Sequence, residues 1–413
     1  MAPHVLVRAA TAGLTAVALL TACGSGFDDP TADAPQNTGP ADLRILIGSS
    51  GDAETKAVRD AAAAWATASG NQATVTPAQD LTQQLGQALA GGTPPDVFYV
   101  DAARFADYAS VGALEPYGDR ISDHTDFYDS LRTTFTYDGT FYCAPKDFST
   151  LALQINTDLW AKAGLGEADI PTTWDQLTAT SRKIKAAGLV PLALGDTRDR
   201  IGAFLVQNGG WLLSDDGRQP TAGTAENVAA LTYVKSLLTE GLARFPKQLD
   251  AGWSGEAFGK GAAVMTIEGN WIKGALQNDF PTVKYRIVEL PAGPSGKGTL
   301  SFTQCWGIAA KSRHKEQAVA FVEAMTRGDQ QLTFARAFGV MPSRQSVRDR
   351  YTNEFPADRP FIDGAAYAQG PVNAPRMDSV LAELDTGLQG LASTDPKAIL
   401  DSFDRNARAA LGG

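Results

Sequence analysis

The chain is short of the residues that most metal centres and nucleophilic enzymes need. Its 413 residues include three cysteines and three histidines. His4, His124 and His314 are far apart, and no CxxC or HxxxH spacing occurs, which argues against a zinc site. A Tyr/His cluster of the kind that holds a metal complex is also lacking. No GxSxG, HExxH or GxxxxGK[ST] is present, and no GxGxxG follows a strand, so the usual hydrolase, zinc-protease and nucleotide-binding signatures are missing. There is no Lys/Arg-rich block, and the net charge is −10; both speak against nucleic acid as a partner. An acidic surface of mixed charge is mainly a solubility feature. Internal repeats are absent. A glycosidase needs two carboxylates at a suitable separation. Asp147 with Asp199, or Asp101 with Glu268, can be nominated, but a chain with 46 acidic residues offers such pairs anywhere.

What is present begins with an export signal. His4 and Arg8 form a weakly basic start, and an apolar run from Ala9 to Leu20 follows. That run is too short to span a membrane. It ends in Leu20-Thr21-Ala22-Cys23, which resembles a bacterial lipobox, with residues 1–22 removed and Cys23 carrying lipid. An ordinary secretory leader with a chance cysteine is the alternative. Residues 23–41, rich in Gly, Pro, Asp and Thr, read as a flexible tether. In an exported protein the two remaining cysteines, Cys143 and Cys305, form a possible pair.

The rest is long enough for two domains. Leu43–Ile47 predicts a strand, with a polar turn at Gly48–Asp52. A helix follows with Ala57, Val58, Ala61, Ala64 and Trp65 on one face. Asp96–Val100 is the next strand, completing a βαβ unit. Around Tyr142–Asn156 the pattern predicts two strands joined by Pro145-Lys146-Asp147-Phe148, with a change of domain between them. Thr173 is expected to cap a helix, with Gln176 completing a capping box. Leu189–Gly195 predicts a strand, and Asp196–Arg200 a polar loop at its end. A helix spans 225–241, strands 283–290 and 298–309, and four helices the C-terminal part: 316–326, 329–338, 378–392 and 396–411.

The most telling stretch is EAFGKGAAVMTIEGNWIKGAL, Glu256–Leu276. An apolar strand, Ala262–Ile267, ends at Glu268-Gly269-Asn270-Trp271, where a helix begins. In an α/β fold the carboxyl ends of strands meet the ligand. Gly269 lets the backbone approach closely, and Trp271 offers a flat face suited to a sugar ring. Packing in a core is the plainer role for Trp271. The segment resembles the extracellular solute-binding proteins of ABC importers, in the branch of the maltose-binding proteins. GGTPPDVFYVD, YCAPKDFSTLALQINTDLWAKAGL, PTTWDQL, the NGGW of Asn208–Trp211 and the C-terminal helices extend the likeness over residues 42–413 in family order.

The resemblance implies an α/β fold of two discontinuous lobes of the periplasmic-binding-protein type (class II-like), joined by a hinge. Lobe one would hold 42–146 and 307–355; lobe two, 150–303 and 360–413. The hinge would run near 145–149, 304–307 and 355–360. Cys143 and Cys305 lie beside these crossings and are therefore expected to be bonded; two buried thiols are the alternative. The ligand-binding candidates are Ser50, Asp52, Asp101, Asp147, Ser149, Asp199, Arg200, Gly269, Asn270, Trp271, Gln304, Trp306 and Arg376. Carboxylates accept sugar hydroxyl protons, and a buried polar rim selects one stereoisomer. Several have plainer readings: Asp52 as a helix cap, Asp199 and Arg200 as a solvated pair, Trp306 as hinge core, Arg376 as a structural bridge. Trp211 and Trp253 are expected to pack.

The sequence departs from the maltose-binding pattern. An acidic hinge position is Ser149 here, the aromatic loop after Leu189–Gly195 is replaced by Asp-Thr-Arg-Asp-Arg, and the C-terminal aromatic is missing around 378–381. A less aromatic, more charged pocket favours a disaccharide, an amino sugar, a short oligosaccharide or a glycerophosphodiester. The function implied is a monomeric, lipid-anchored receptor on the outer face of the cell membrane. It captures a carbohydrate and delivers it to an ABC permease, with no cofactor, no metal, no catalytic residue and no nucleic acid.

Overall fold

A computed structural model describes residues 39–412. The export signal, the lipobox with Cys23 and most of the tether lie outside the described residues. In chain order the strands are β1 (Asp42–Ile47), β2 (Gln72–Pro77), β3 (Val97–Asp101), a hairpin of β4 (Thr136–Tyr137) and β5 (Thr140–Phe141), then β6 (Pro145–Thr150) and β7 (Ala152–Asn156). There follow β8 (Leu192–Ala193), β9 (Ala243–Arg244), β10 (Met265–Glu268), β11 (Tyr285–Val288), β12 (Thr299–Ile308) and β13 (Ala368–Gln369). They form two large sheets. One runs β13-β12-β3-β1-β2 with β6 also on β12; the other runs β11-β7-β10-β8-β9. The chain is thus a mixed α/β protein of two lobes.

The first sheet is seeded by β1, which pairs in parallel with β2 and β3. Leu43, Ile45 and Ile47 alternate inward and are almost fully buried. Each contributes about 1.5–3 kcal/mol by leaving water, so a one-residue slip of β1 is strongly resisted. The helix Asp52–Ser69 packs beside it through Val58, Ala61, Ala62 and Trp65. The inward face therefore takes Ala62, while Ala64 is exposed; the buried set is an i, i+3, i+4, i+7 stripe, and Ala64 falls outside it. In β3, Val97–Val100 are all buried, the pattern of a central strand.

The two lobes meet through neighbouring antiparallel strands. β6 pairs with β12 from Thr150↔Ser301 to Pro145↔Cys305, with a register shift between Gln304 and Cys305. A single residue, Leu151, separates β6 in the first sheet from β7 in the second. The segment Pro145–Phe148 was expected to join two strands and is instead part of β6. It is strand because β12 lies alongside to satisfy its backbone. β12 continues along β3, antiparallel, from Gln304↔Asp101 to Ile308↔Val97. Sheet membership differs in two places from the expected lobe limits. Residues 299–303 and β13 both belong to the first sheet, because β12 is one unbroken strand that collects β13, β6 and β3 along its length.

Cys143 and Cys305 form a disulfide beside this crossing, with Cα atoms 5.7 Å apart and both side chains buried. Thr173 caps the helix Trp174–Ala186 as expected, accepting from the Gln176 N–H. The Gln176 side chain, however, accepts from Thr172, not Thr173. The helices Asp378–Gln389 and Pro396–Leu411 pack against each other and against the helices Arg198–Gln207 and Ala225–Thr239, adding Leu384, Leu388, Leu400 and Phe403 to the core of the second lobe. No helix among the described residues is long and apolar enough to cross a membrane.

Candidate functional site

A cavity of about 1080 Å³ opens where the strand ends converge. The turn after β1 brings Ser50 and Asp52, and the end of β3 brings Asp101. The crossing strands bring Asp147, Ser149 and Gln304, and the end of β10 brings Asn270 and Trp271. A smaller cavity of about 230 Å³ shares Asp101, Phe302 and Thr303 with it and adds Asp199. A third, of about 1030 Å³, shares Trp211 with the smaller one and reaches Arg376. The main and smaller cavities adjoin along these shared residues as one groove, and the third lies beyond the smaller one.

On the first-sheet side the floor is a buried charge cluster. Glu54, 2% exposed, sits on the inward face of the helix that follows β1. Its Oε2 accepts from the Ser50 N–H and hydroxyl, both at 2.7 Å. Its Oε1 accepts from the Tyr99 hydroxyl at 3.1 Å and the Lys146 ammonium at 3.0 Å. Lys146 also donates to Asp147 and lies 4.6 Å from the Tyr99 ring centre. Burial pushes the Glu54 carboxyl up, but the ammonium and the Ser50 donors outweigh it and hold it below the usual range. Burial also lifts Asp147, and Lys146 only partly offsets this. Burial draws the Lys146 ammonium down, yet its two carboxylates hold it above its ordinary value.

On the second-sheet side Glu268 ends β10 with no exposure at all. Its Oε2 accepts from Arg200 Nε and Nη2 at 3.0 and 2.7 Å and from Trp271 Nε1 at 2.9 Å. Its Oε1 accepts from the Ser254 hydroxyl at 2.5 Å. Arg200 lies 5.0 Å from the Trp271 ring centre, and Phe302 meets that ring edge-on, also at 5.0 Å. Trp271 keeps 36% exposure on the cavity, a large apolar face left uncovered in a polar rim.

These observations sort the expected residues. Ser50, Asp52, Asp101, Asp147, Ser149, Asn270, Trp271 and Gln304 share the main cavity. Asp52 makes no capping bond, so that plainer role does not apply. Ser50 is committed to Glu54. The Ser149 hydroxyl accepts from the Asn270 N–H at 3.0 Å, and the Asn270 amide donates to the Gly339 carbonyl at 2.8 Å. Asp101 caps the helix Ala102–Ser110 through the Ala103 N–H. Desolvation lifts its carboxyl and Asp199 adds to the lift, against the pull of that N–H.

Four expectations are corrected. Asp199 and Arg200 lie in the first turn of the helix Arg198–Gln207, not in a loop, because the polar run after β8 simply starts the helix. Arg200 turns to Glu268 and is not among the residues that wall the three cavities above. Trp306 is 1% exposed, edge-on to Tyr99 at 4.8 Å and to Phe321 at 5.7 Å, and belongs to the core of the first lobe and not to the wall of the main cavity. Arg376 lies in the distant third cavity, with a positive φ of 65° and its N–H donating to Asp107. Gly269 sits beneath the Trp271 ring and leaves it space.

The chain matches the family described as bacterial extracellular solute-binding protein over residues 60–361. It belongs to that family. A solute-binding protein is the setting in which a groove between two lobes, with its aromatic face and polar rim, has a use. A Brucella abortus binding protein is 26% identical over 353 residues, covering 82% of this chain and 84% of that one. The diacetylchitobiose-binding protein DasA of Streptomyces coelicolor is 26% identical over 278 residues, 65% of each chain. The fold is that of a cyclic alpha-maltosyl-1,6-maltose binding protein from Arthrobacter globiformis: TM-score 0.81 at 22% identity, covering 91% of this chain and 100% of the other. The solute-binding family is one of binding proteins, so the glycosidase reading is set aside.

In this solute-binding protein, sequence reasoning missed Glu54, Lys146 and Phe302. Glu54 carried a signal, since it lies four residues before Val58 on the inward helical stripe. Lys146 carried none, because its burial depends on partners far along the chain.

Proposed function

We propose that this protein is a lipid-anchored receptor, held through Cys23 on the outer face of the cell membrane. It captures a sugar (a disaccharide, amino sugar or short oligosaccharide) in the groove and hands it to an ABC permease. The observation that carries the sugar reading is the half-open Trp271 ring beside Asp101, Asp147 and Gln304 in one cavity. A flat apolar face with hydrogen-bond acceptors around it complements a pyranose ring. The charge balance favours a ligand without a negative group. Around the main and smaller cavities, Lys146 is shared by Glu54 and Asp147, Lys273 pairs with Asp358, Arg336 with Glu354 and Arg198 with Asp385. Asp52 and Asp101 form no ion pair among the described residues, although Arg104 attracts Asp101 and the Ala103 N–H donates to it. Spare acceptors without spare cations suit hydroxyl or amine donors better than a phosphodiester. The two lobes divide near 145–149, 304–307 and 355–360, and the protein acts as a monomer.

A thermal-shift screen tests this. The mature protein is heated with mono-, di- and amino sugars and with glycerophosphodiesters. A ligand specific to the folded state at one hundred times its Kd stabilises by about 2.7 kcal/mol, so one sugar class is expected to raise Tm and be recovered unchanged. A shift with phosphodiesters alone overturns the carbohydrate reading.

A further inference from the structure

We infer that Glu268 is a positioning residue: its carboxylate fixes the plane of the Trp271 indole from behind, with Arg200 as the counter-ion that makes this burial tolerable. The carboxylate is fully buried and is approached by three side chains, Arg200, Ser254 and Trp271. Two of the three, Arg200 and Trp271, also touch each other. The backbone of Glu268 is held in turn by a reciprocal pair of bonds with the Gln154 amide, at 3.0 and 3.1 Å. The acceptor therefore cannot drift with the ring.

Space has been made for this arrangement at two glycines. A Cβ at Gly269 would come within 2.2 Å of Trp271 Cζ3, and one at Gly195 within 2.6 Å of Arg200 Cγ. Gly269 has no positive φ to explain it; closeness to the ring is its reason. An ion pair this deep contributes little net stability relative to apolar packing. What it supplies is direction. The indole N–H points into the protein, where it needs an acceptor, and the rest of the ring is left in the cavity at a fixed angle. Arg200 consequently acts through Trp271 and not on the ligand.

The positioning does not depend on what the groove binds; its consequence for affinity depends on Trp271 being the ligand platform. The indole N–H signals of the seven tryptophans are recorded by nitrogen-correlation NMR on the isotopically labelled protein. The Trp271 signal is the one lost in Trp271→Phe. In Glu268→Ala this signal is expected to move and its N–H to exchange with water at least about tenfold faster, the loss of a single buried hydrogen bond, while the others hold. Glu268→Gln, which keeps an acceptor, restores it part-way. If Glu268→Ala does not fold, Glu268→Gln and Arg200→Met are read alone, and each must move the Trp271 signal selectively. An unmoved Trp271 signal in a folded variant overturns the assignment. For a sugar found in the thermal screen, Glu268→Gln and Trp271→Ala are expected to weaken binding non-additively; full additivity also overturns it. If no sugar binds, the function proposed above fails while the spectrum still decides the role of Glu268.

Discussion

The two charge clusters that flank the groove solve the same problem in opposite ways. On one side a single ammonium, Lys146, serves two carboxylates, Glu54 and Asp147. The cluster carries one negative charge more than it can neutralise, and Asp147 sits on the cavity wall. On the other side a single carboxylate, Glu268, is saturated by donors from three side chains. Nothing of it is left for a ligand. The first cluster is left short of a donor and faces the cavity through Asp147. The second is complete and serves as scaffolding. Buried charge is costly in both places; what differs is whether the protein's own donors complete the set.

This comparison is broken most forcefully at Lys146. Lys146→Met leaves two carboxylates buried side by side without a counter-ion, and unfolding free energy is expected to fall by about 3–5 kcal/mol in denaturant titrations. A loss no larger than that of a surface lysine would show that the cluster is solvated. Next in size is Glu54→Gln, expected to cost about 1–3 kcal/mol at neutral pH. The Glu54 carboxyl is held below its ordinary value of 4.5, so its stabilisation is present above that pH and disappears as pH falls through the lowered value. The difference between the two proteins should therefore shrink in melts recorded below pH 4.5. A difference that grows on acidification would contradict the assigned direction. Smallest in stability is Trp271→Ala, since the ring is 36% exposed. Its melting should remain cooperative with a loss under about 1 kcal/mol, while calorimetry with the screened sugar shows affinity reduced about tenfold or more. Unchanged affinity would remove Trp271 from the site.

Much of this was legible where the determining contacts are local. Thr173 as a cap, the strand ending at Glu268 and the helix Pro396–Leu411 depend on residues within a turn or two, and they stand where periodicity and capping rules put them. Two missed residues, Glu54 and Lys146, and one misplaced candidate, Arg200, share another feature. Glu54 and Lys146 meet across 92 positions and Arg200 and Glu268 across 68; no spacing rule reaches that far. Arg200 and Asp199 were read as a loop because charge in a short run resembles a turn, although the same run is a serviceable helix start. Trp306 was drawn into the site by its neighbour Gln304. Two positions apart on a strand share a face, and these two do, but the cavity reaches Gln304 and stops short of Trp306, which Tyr99 and Phe321 cover.

The unbroken strand β12 also governs the order in which the protein can be completed. β3 and β6 need it as their common neighbour, and it arrives only after the second sheet's own strands have been made. A nascent chain that has produced its first 298 residues still lacks the strand that joins its two halves, and a bare strand edge is prone to wrong pairing. Cys143 likewise waits 162 positions for its mate. Until that strand is made, neither the pairing nor the covalent bond can hold the two halves together, so the fastening of the lobes is a late event in the making of the chain.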